Sequence, residues 1–264
     1  MSDADATRVR RAPPPFRPAT VVGTAPVGPR LRRVVLAGDA LVDFPAFGPG
    51  ASVRLLLPSP GGTDLVIPTW TGNEFLLPDG SRPVLRTFTP LAADPVAGRL
   101  ELAVVLHDGG IASQWAAAAT PGAPCAISGP GRGYAVDPDA AGYLLAGDES
   151  AIPAVDQLLG VLPPTVPVRV HLEVAAPEGR IPLAPHPRAA VTWHDLADPT
   201  DPGSAMVAAV LAEPVTPEER IWVAGEAASV QRVRRHLFET IGFPRTRATV
   251  RGYWKRGHAG ADDE

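Results

Sequence analysis

Two stretches of this chain repeat one local design that brings acids and glycines to the start of a helix: Gly147-Asp148-Glu149-Ser150 and Gly225-Glu226. In each, an apolar run ends on a glycine, an acid follows, and a helical pattern begins. Acids favour helix N-termini on electrostatic grounds alone. In a perturbed environment Asp148 and Glu149 would also be candidates for delivering a proton. A third stretch, His107 through Trp115, places Gly109-Gly110 before the Ala-rich pattern Ile111–Ala119. Backbone amides at such a start, open to close approach, suit a phosphate; a plain turn is the competing reading. From Arg232 to Arg256 there are eight basic residues and one acid, Glu239. Such a run attracts anions or forms a solvated helix face. Lys255 is the single lysine among 24 Lys and Arg residues, so arginine abundance reflects compositional bias and carries little weight. The six histidines lack metal-ligand spacing, and no protein-ligated metal is expected. No nucleophile-elbow pattern surrounds any serine, Ser113 included.

The elements that must position these residues fall into two sets. Pro18 to Ser128 reads as short strands separated by turn residues, clearest at Leu31–Ala37, Ser52–Leu57, Val84–Thr89, Leu100–Leu106 and Cys125–Ser128. Leu100, Leu102, Val104 and Leu106 recur at the period of two of a half-buried strand. Such strands suggest a small antiparallel barrel. Pro58–Pro83 reads as a long irregular insertion holding Trp70 and Phe75.

After Gly133, strands are predicted at Tyr143–Ala146, Val168–Val174, Ala190–His194, Arg220–Ala224 and Thr249–Tyr253. Helices are predicted at Ala151–Leu162, Ser204–Leu211 and Ala227–Ile241, the last closed by Gly242. In the first helix Ile152, Val155, Leu158, Leu159 and Leu162 form one stripe, with Ser150 at the N-cap position and Pro153 in the first turn. Alternating strands and helices imply a mostly parallel sheet. Both glycine–acid pairs should then lie on its ligand edge. The boundaries read as a mobile arm at 1–15, a β unit at 16–138 and an α/β unit at 139–264.

Length and composition limit the classes. The chain has 264 residues, is 45% hydrophobic and 20% charged, and carries a net charge of −4. Two globular domains fit that length, and the charge argues against nucleic acid as a general partner. No apolar run is long enough for a membrane span, and the N-terminus shows no signal-peptide core. One cysteine, Cys125, fits a reducing cytoplasm.

Taken in order and spacing, Arg86-Thr87-Phe88-Thr89, His107 through Trp115, Gly129-Pro130-Gly131, Leu144 through Ala154, Trp222 through Glu226 and Gly252 through Gly257 resemble the siderophore-interacting proteins. These are a flavin-binding branch of the ferredoxin-NADP reductase superfamily. The resemblance implies an antiparallel six-stranded FAD-binding barrel followed by a parallel-sheet NAD(P)H-binding domain. It implies that Arg86 pairs with an FAD phosphate, that Phe88 packs on the isoalloxazine and that Thr89 bonds the flavin near N5, with Thr87 between them. His107, Gly110, Ala112 and Ser113 would receive the pyrophosphate. Gly147, Asp148, Gly225 and Glu226 would line the nucleotide site, Tyr253 and Trp254 would cover the flavin or the substrate entrance, and Lys255 and Arg256 would attract an anionic ferric siderophore.

The implied activity is reduction of siderophore-bound Fe(III), with NADPH, NADH or ferredoxin as donor. Two positions depart from the family pattern: Phe88 stands where Tyr is usual, and Leu91 where a second Arg is usual. Phe keeps the stacking surface but loses a hydroxyl. A hydrogen bond to a charged group is worth about 1.5–3 kcal/mol. A natural-product tailoring enzyme on the same scaffold and a non-catalytic flavin or siderophore binder stay open as alternatives.

Overall fold

The computed structural model describes residues 12–257. The expected arm falls mainly on residues 1–11, outside the described residues; residues 12–15 have no regular secondary structure.

The first sheet is antiparallel and curled. It contains β1 (Phe16–Gly28), β2 (Leu31–Ala37), β3 (Val53–Leu57), β6 (Val84–Phe88), β7 (Pro90–Asp94), β8 (Arg99–Val105) and β9 (Pro124–Ser128), in the order β6-β3-β9-β1-β2-β8-β7. Between β3 and β6 lies a hairpin of β4 (Thr69–Trp70) and β5 (Phe75–Leu76). Six strands were expected and seven segments are found, because the chain breaks its pairing at Thr89 alone, between β6 and β7. Those two segments form opposite ends of the sheet, so the bend at Thr89 brings the curl round on itself.

Alternation drives this sheet. Val34 and Leu36, Leu55 and Leu57, Leu100, Leu102 and Val104, and Cys125 and Ile127 all point inward and are buried. Helix α1 (Ile111–Ala118) adds Ala112 and Ala116 to the same core. Strand β1 was not expected. Pro18, Gly23 and Pro26 interrupt its apolar pattern, and its register with β2 shifts twice; only Ala19 and Val21 show the buried period of two. The expected irregular insertion also proves partly ordered. Phe75 of the hairpin meets Trp70 edge-on at 5.0 Å and Phe16 at 5.1 Å.

The second sheet is wholly parallel: β10 (Tyr143–Asp148), β11 (Val168–Val174), β12 (Ala189–Asp195), β13 (Arg220–Glu226) and β14 (Ala248–Trp254), in the order β12-β11-β10-β13-β14. Helix α2 (Ile152–Val161) covers one face. There the predicted stripe Ile152, Val155, Leu158, Leu159 and Leu162 is buried against Leu145, Val170, Leu172 and Trp222. Helices α3 (Ser204–Ala212) and α4 (Ala227–Arg235) cover the other face with Met206, Val210, Val230 and Val233. After α4 the chain runs as a π-helix from His236 to Thr240, then ends on Gly242 at φ +66°, a left-handed position that suits glycine. Strands 10 to 12 build outward and β13 returns beside β10. The switch point of the sheet therefore lies between β10 and β13, where open α/β sheets bind ligands beyond the strand ends.

Candidate functional site

The carboxyl ends of β10, β13 and β14 meet the Thr89 bend of the first sheet. Thr89 is buried, 6% exposed, and its side chain lies beside the phenol of Tyr253. Burial pushes the Tyr253 phenol above its ordinary value. Tyr253 is backed by the buried Trp222, ring edge to face at 6.2 Å. From α2, the Gln157 amide donates to the Pro90 carbonyl at 2.6 Å, while its Oε1 accepts the Gly50 N–H at 3.0 Å. One side chain thus ties the segment after Thr89 and the turn before β3 to the second sheet.

The glycine–acid pairs do share the expected edge, but their first task is internal. Asp148 is 8% exposed and takes four donors: Ser150 N–H (2.9 Å), Ser150 Oγ (2.5 Å), Glu226 N–H (2.8 Å) and Trp254 Nε1–H (2.7 Å). Asp148, not Ser150, caps the turn that leads into α2. Burial pushes its carboxyl above the usual range while these hydrogen bonds pull the other way.

The two glycines make this closure feasible. A methyl on Gly147 would sit 2.5 Å from the Ala224 carbonyl oxygen, and one on Gly225, at φ +154°, would sit 2.6 Å from Asp148 Oδ2. Glu226 caps α4 through Ser229 N–H at 2.9 Å and accepts Arg256 N–H at 3.3 Å. Glu149 forms an ion pair with Arg30 of the first sheet at 2.8 Å and accepts the Ala175 N–H at 3.2 Å. The carboxylates singled out for proton delivery are thus engaged by the protein's own donors.

On the first sheet, Arg86 and Phe88 lie on one side of β6, since side chains alternate along a strand; Thr87 is exposed on the other side and does not join them. Phe88 is half-buried against the sheet's core, as is Ile111 at the start of α1. Partial burial pulls the Arg86 guanidinium below its ordinary value. At α1, Gly110 stands at the N-cap and no side chain caps the helix, so its first amides are open to a ligand. The His107 ring lies under Gly110, 2.4 Å from where a methyl would be. The Ser113 hydroxyl donates to the His107 carbonyl (2.7 Å) and accepts its N–H (2.8 Å), bracing this loop. Ala112 and Ser113 are buried at the start of this helix.

The basic run is largely committed within the fold. Arg232 pairs with Asp201 at 2.9 Å, Arg234 donates to the Val250 carbonyl at 2.5 Å, Arg245 stacks on Phe238 at 4.5 Å and Arg247 donates to the Glu218 carbonyl at 3.1 Å. Lys255 and Arg256 are exposed beside Trp254, with Arg256 also donating to the Thr200 carbonyl. Gln157 and Arg30 were missed by sequence reasoning. Each acts on a partner more than 60 residues away, and no local pattern signals such a pairing.

Residues 20–134 match the siderophore-interacting FAD-binding domain, and residues 140–257 match the siderophore-interacting protein domain. A curated relative of Escherichia coli, NADPH-dependent ferric-chelate reductase, is 32% identical over 90% of this chain and 92% of its own length. The chain belongs to the siderophore-interacting protein family. The solved structure of a siderophore utilization protein from T. fusca superposes with a TM-score of 0.81 at 30% identity, covering 95% of this chain and 96% of that one. The mycobactin import ATP-binding/permease protein IrtA of Mycolicibacterium smegmatis is 33% identical over 91% of this chain but only 26% of its own length. The chain thus spans about a quarter of the first curated relatives it matches. No helix among the described residues is long and apolar enough to cross a membrane.

The residues present fit a flavin dinucleotide. The uncapped α1 with Gly110 at its start offers amides to a pyrophosphate, and a guanidinium fork suits phosphate oxygens.

Proposed function

We propose that this chain reduces Fe(III) held in a siderophore, using NAD(P)H as donor and FAD as intermediary. The observation that carries this reading is the meeting of Thr89 with the ends of β10, β13 and β14, where the Tyr253 phenol lies beside it. A barrel-type flavin segment and the switch point of a parallel sheet converge there. The similarity to an NADPH-dependent ferric-chelate reductase supports it.

FAD, when bound, supplies the conversion of a two-electron donor into two one-electron deliveries. Overall, one NAD(P)H and two Fe(III) give NAD(P)+, one proton and two Fe(II). Fe(II), with its lower charge, is held less tightly by hard oxygen donors, so reduction becomes release.

The chain's own residues bind and orient. Arg86 and the amides at the start of α1 hold the phosphates, Phe88 presents its ring to the isoalloxazine, and Thr89 orients its reacting edge. Nucleotide enters over the β10–β13 switch point, where Gly147 and Gly225 keep the strand ends low. Trp254 borders the entrance, and Lys255 and Arg256 add positive charge for an anionic ferric complex.

The test is direct. Protein reconstituted with FAD is mixed anaerobically with NADPH or NADH, then with a ferric siderophore and an Fe(II)-trapping dye. Bleaching of the flavin bands, followed by their return with two Fe(II) per nucleotide, supports the reading. Bound flavin that neither nucleotide bleaches sinks it.

A further inference from the structure

Strand β14 carries one residue more than β13 at the seam. Gly225 pairs with Gly252 and Glu226 with Trp254, so Tyr253 is the extra residue of a bulge. Bulges bend a strand and re-aim a side chain, and they are frequent beside active sites. Here the re-aimed ring stands against Trp222 and its phenol reaches Thr89 across the seam.

Both strands flanking the bulge are held by one atom. Asp148 Oδ2 accepts Glu226 N–H from β13 at 2.8 Å and Trp254 Nε1–H from β14 at 2.7 Å. Its Oδ1 is taken by Ser150. One residue past Lys255, the Arg256 N–H is held by Glu226 Oε1.

We propose that Asp148 is a positioning residue: it locks the β14 bulge through Trp254 and so aims the Tyr253 phenol at Thr89. Its functional consequence rests on the reductase reading above, in which Thr89 faces the reacting edge of the flavin. A Thr hydroxyl has one donor and two acceptor sites and rotates freely when unpartnered. With the Tyr253 phenol held beside it, the hydroxyl has fewer directions left open. Asp148 and Tyr253 thereby orient the site, and no proton passes through either.

Two measurements decide this. The first needs no cofactor. The chain has three tyrosines, and the ring signal of Tyr253, identified by its loss in Tyr253→Phe, is followed by carbon-13 NMR through alkaline titration. Trp254→Phe removes one donor from Asp148 at a residue that is 40% exposed; Asp148→Asn disturbs the whole clamp. In both, the Tyr253 titration is expected to fall towards the ordinary value of 10.0 as the ring is released to solvent. Should Asp148→Asn fail to fold, Trp254→Phe alone decides. An unchanged Tyr253 titration overturns the proposal.

The second uses FAD-loaded protein. Tyr253→Phe slows flavin reduction by NADPH about ten- to a hundredfold, the cost of a reacting edge held slightly out of line. With NADPH saturating, so that Trp254's place at the entrance no longer affects the rate, adding Trp254→Phe to it gives no further slowing. Additive slowing overturns the proposal. A wild-type protein whose bound flavin is not reduced defeats the reductase reading instead, and the tyrosine titration still decides the clamp.

Discussion

In the proposed reading, much of the cofactor's hold rests on two single side chains, Arg86 and Phe88. Each hydrogen bond to a charged group is worth about 1.5–3 kcal/mol, so losing a two-pronged guanidinium contact weakens binding by roughly a hundredfold or more. Arg86→Ala is therefore expected to abolish FAD retention through gel filtration, and unchanged occupancy would misplace the phosphate site. Phe88→Tyr restores the family's hydroxyl and is expected to tighten FAD about tenfold in a fluorescence titration; no change would show that the missing hydroxyl costs nothing here. At this scale the sequence was half legible. Gly147 and Gly225 do share one edge of the sheet, as expected, but their reason is contact with Ala224 and Asp148. The Asp148–Trp254 bond joins residues 106 apart, a distance that no local spacing rule reaches.

Among the elements, those with a clean period were legible and those without were not. Strands β2 and β11 match their expected limits, and α2 buries its predicted stripe. Strand β1 escaped because two prolines and two register shifts hide its alternation. Helix α2 also carries a polar task that its apolar stripe conceals: Gln157 fastens Pro90 and Gly50 to the second sheet. Gln157→Ala is expected to cost about 1–3 kcal/mol in urea unfolding, since it leaves buried partners unpaired. It should also slow flavin reduction while FAD affinity holds. A variant that loses FAD affinity but keeps its reduction rate would contradict this placement of α2.

Across the whole molecule the two sheets are fastened by several independent contacts, including Arg30–Glu149 at the turn between β1 and β2. The connecting segment is pinned to both: Tyr134 N–H donates to the Pro49 carbonyl, and Asp137 pairs with Arg220 at 2.5 Å.

Stability also has a pH-dependent part outside the seam. On β11 and the edge strand β12, His171 and His194 lie 3.1 Å apart through their ring nitrogens, with Glu213 on the far side of His171 at 2.9 Å and Arg169 pairing with Glu213 and Glu219. Burial, and then the neighbouring His171, hold the His194 imidazole below its ordinary 6.5. Between its folded value and 6.5 the unfolded chain binds more protons, so stability rises with pH through that window and is lost as pH falls through the folded value. His194→Gln should flatten the slope of Tm against pH below about 6.5; an unchanged slope would place the titration elsewhere.

The central claim is electron flow across the seam, and anaerobic stopped-flow absorbance of the FAD-loaded protein tests it most directly. The account requires the flavin bands to bleach with NADPH or NADH and to return on adding a ferric siderophore, with two Fe(II) trapped per nucleotide consumed. Flavin that stays oxidised in excess nucleotide, or reduced flavin that a ferric siderophore leaves untouched, would contradict it.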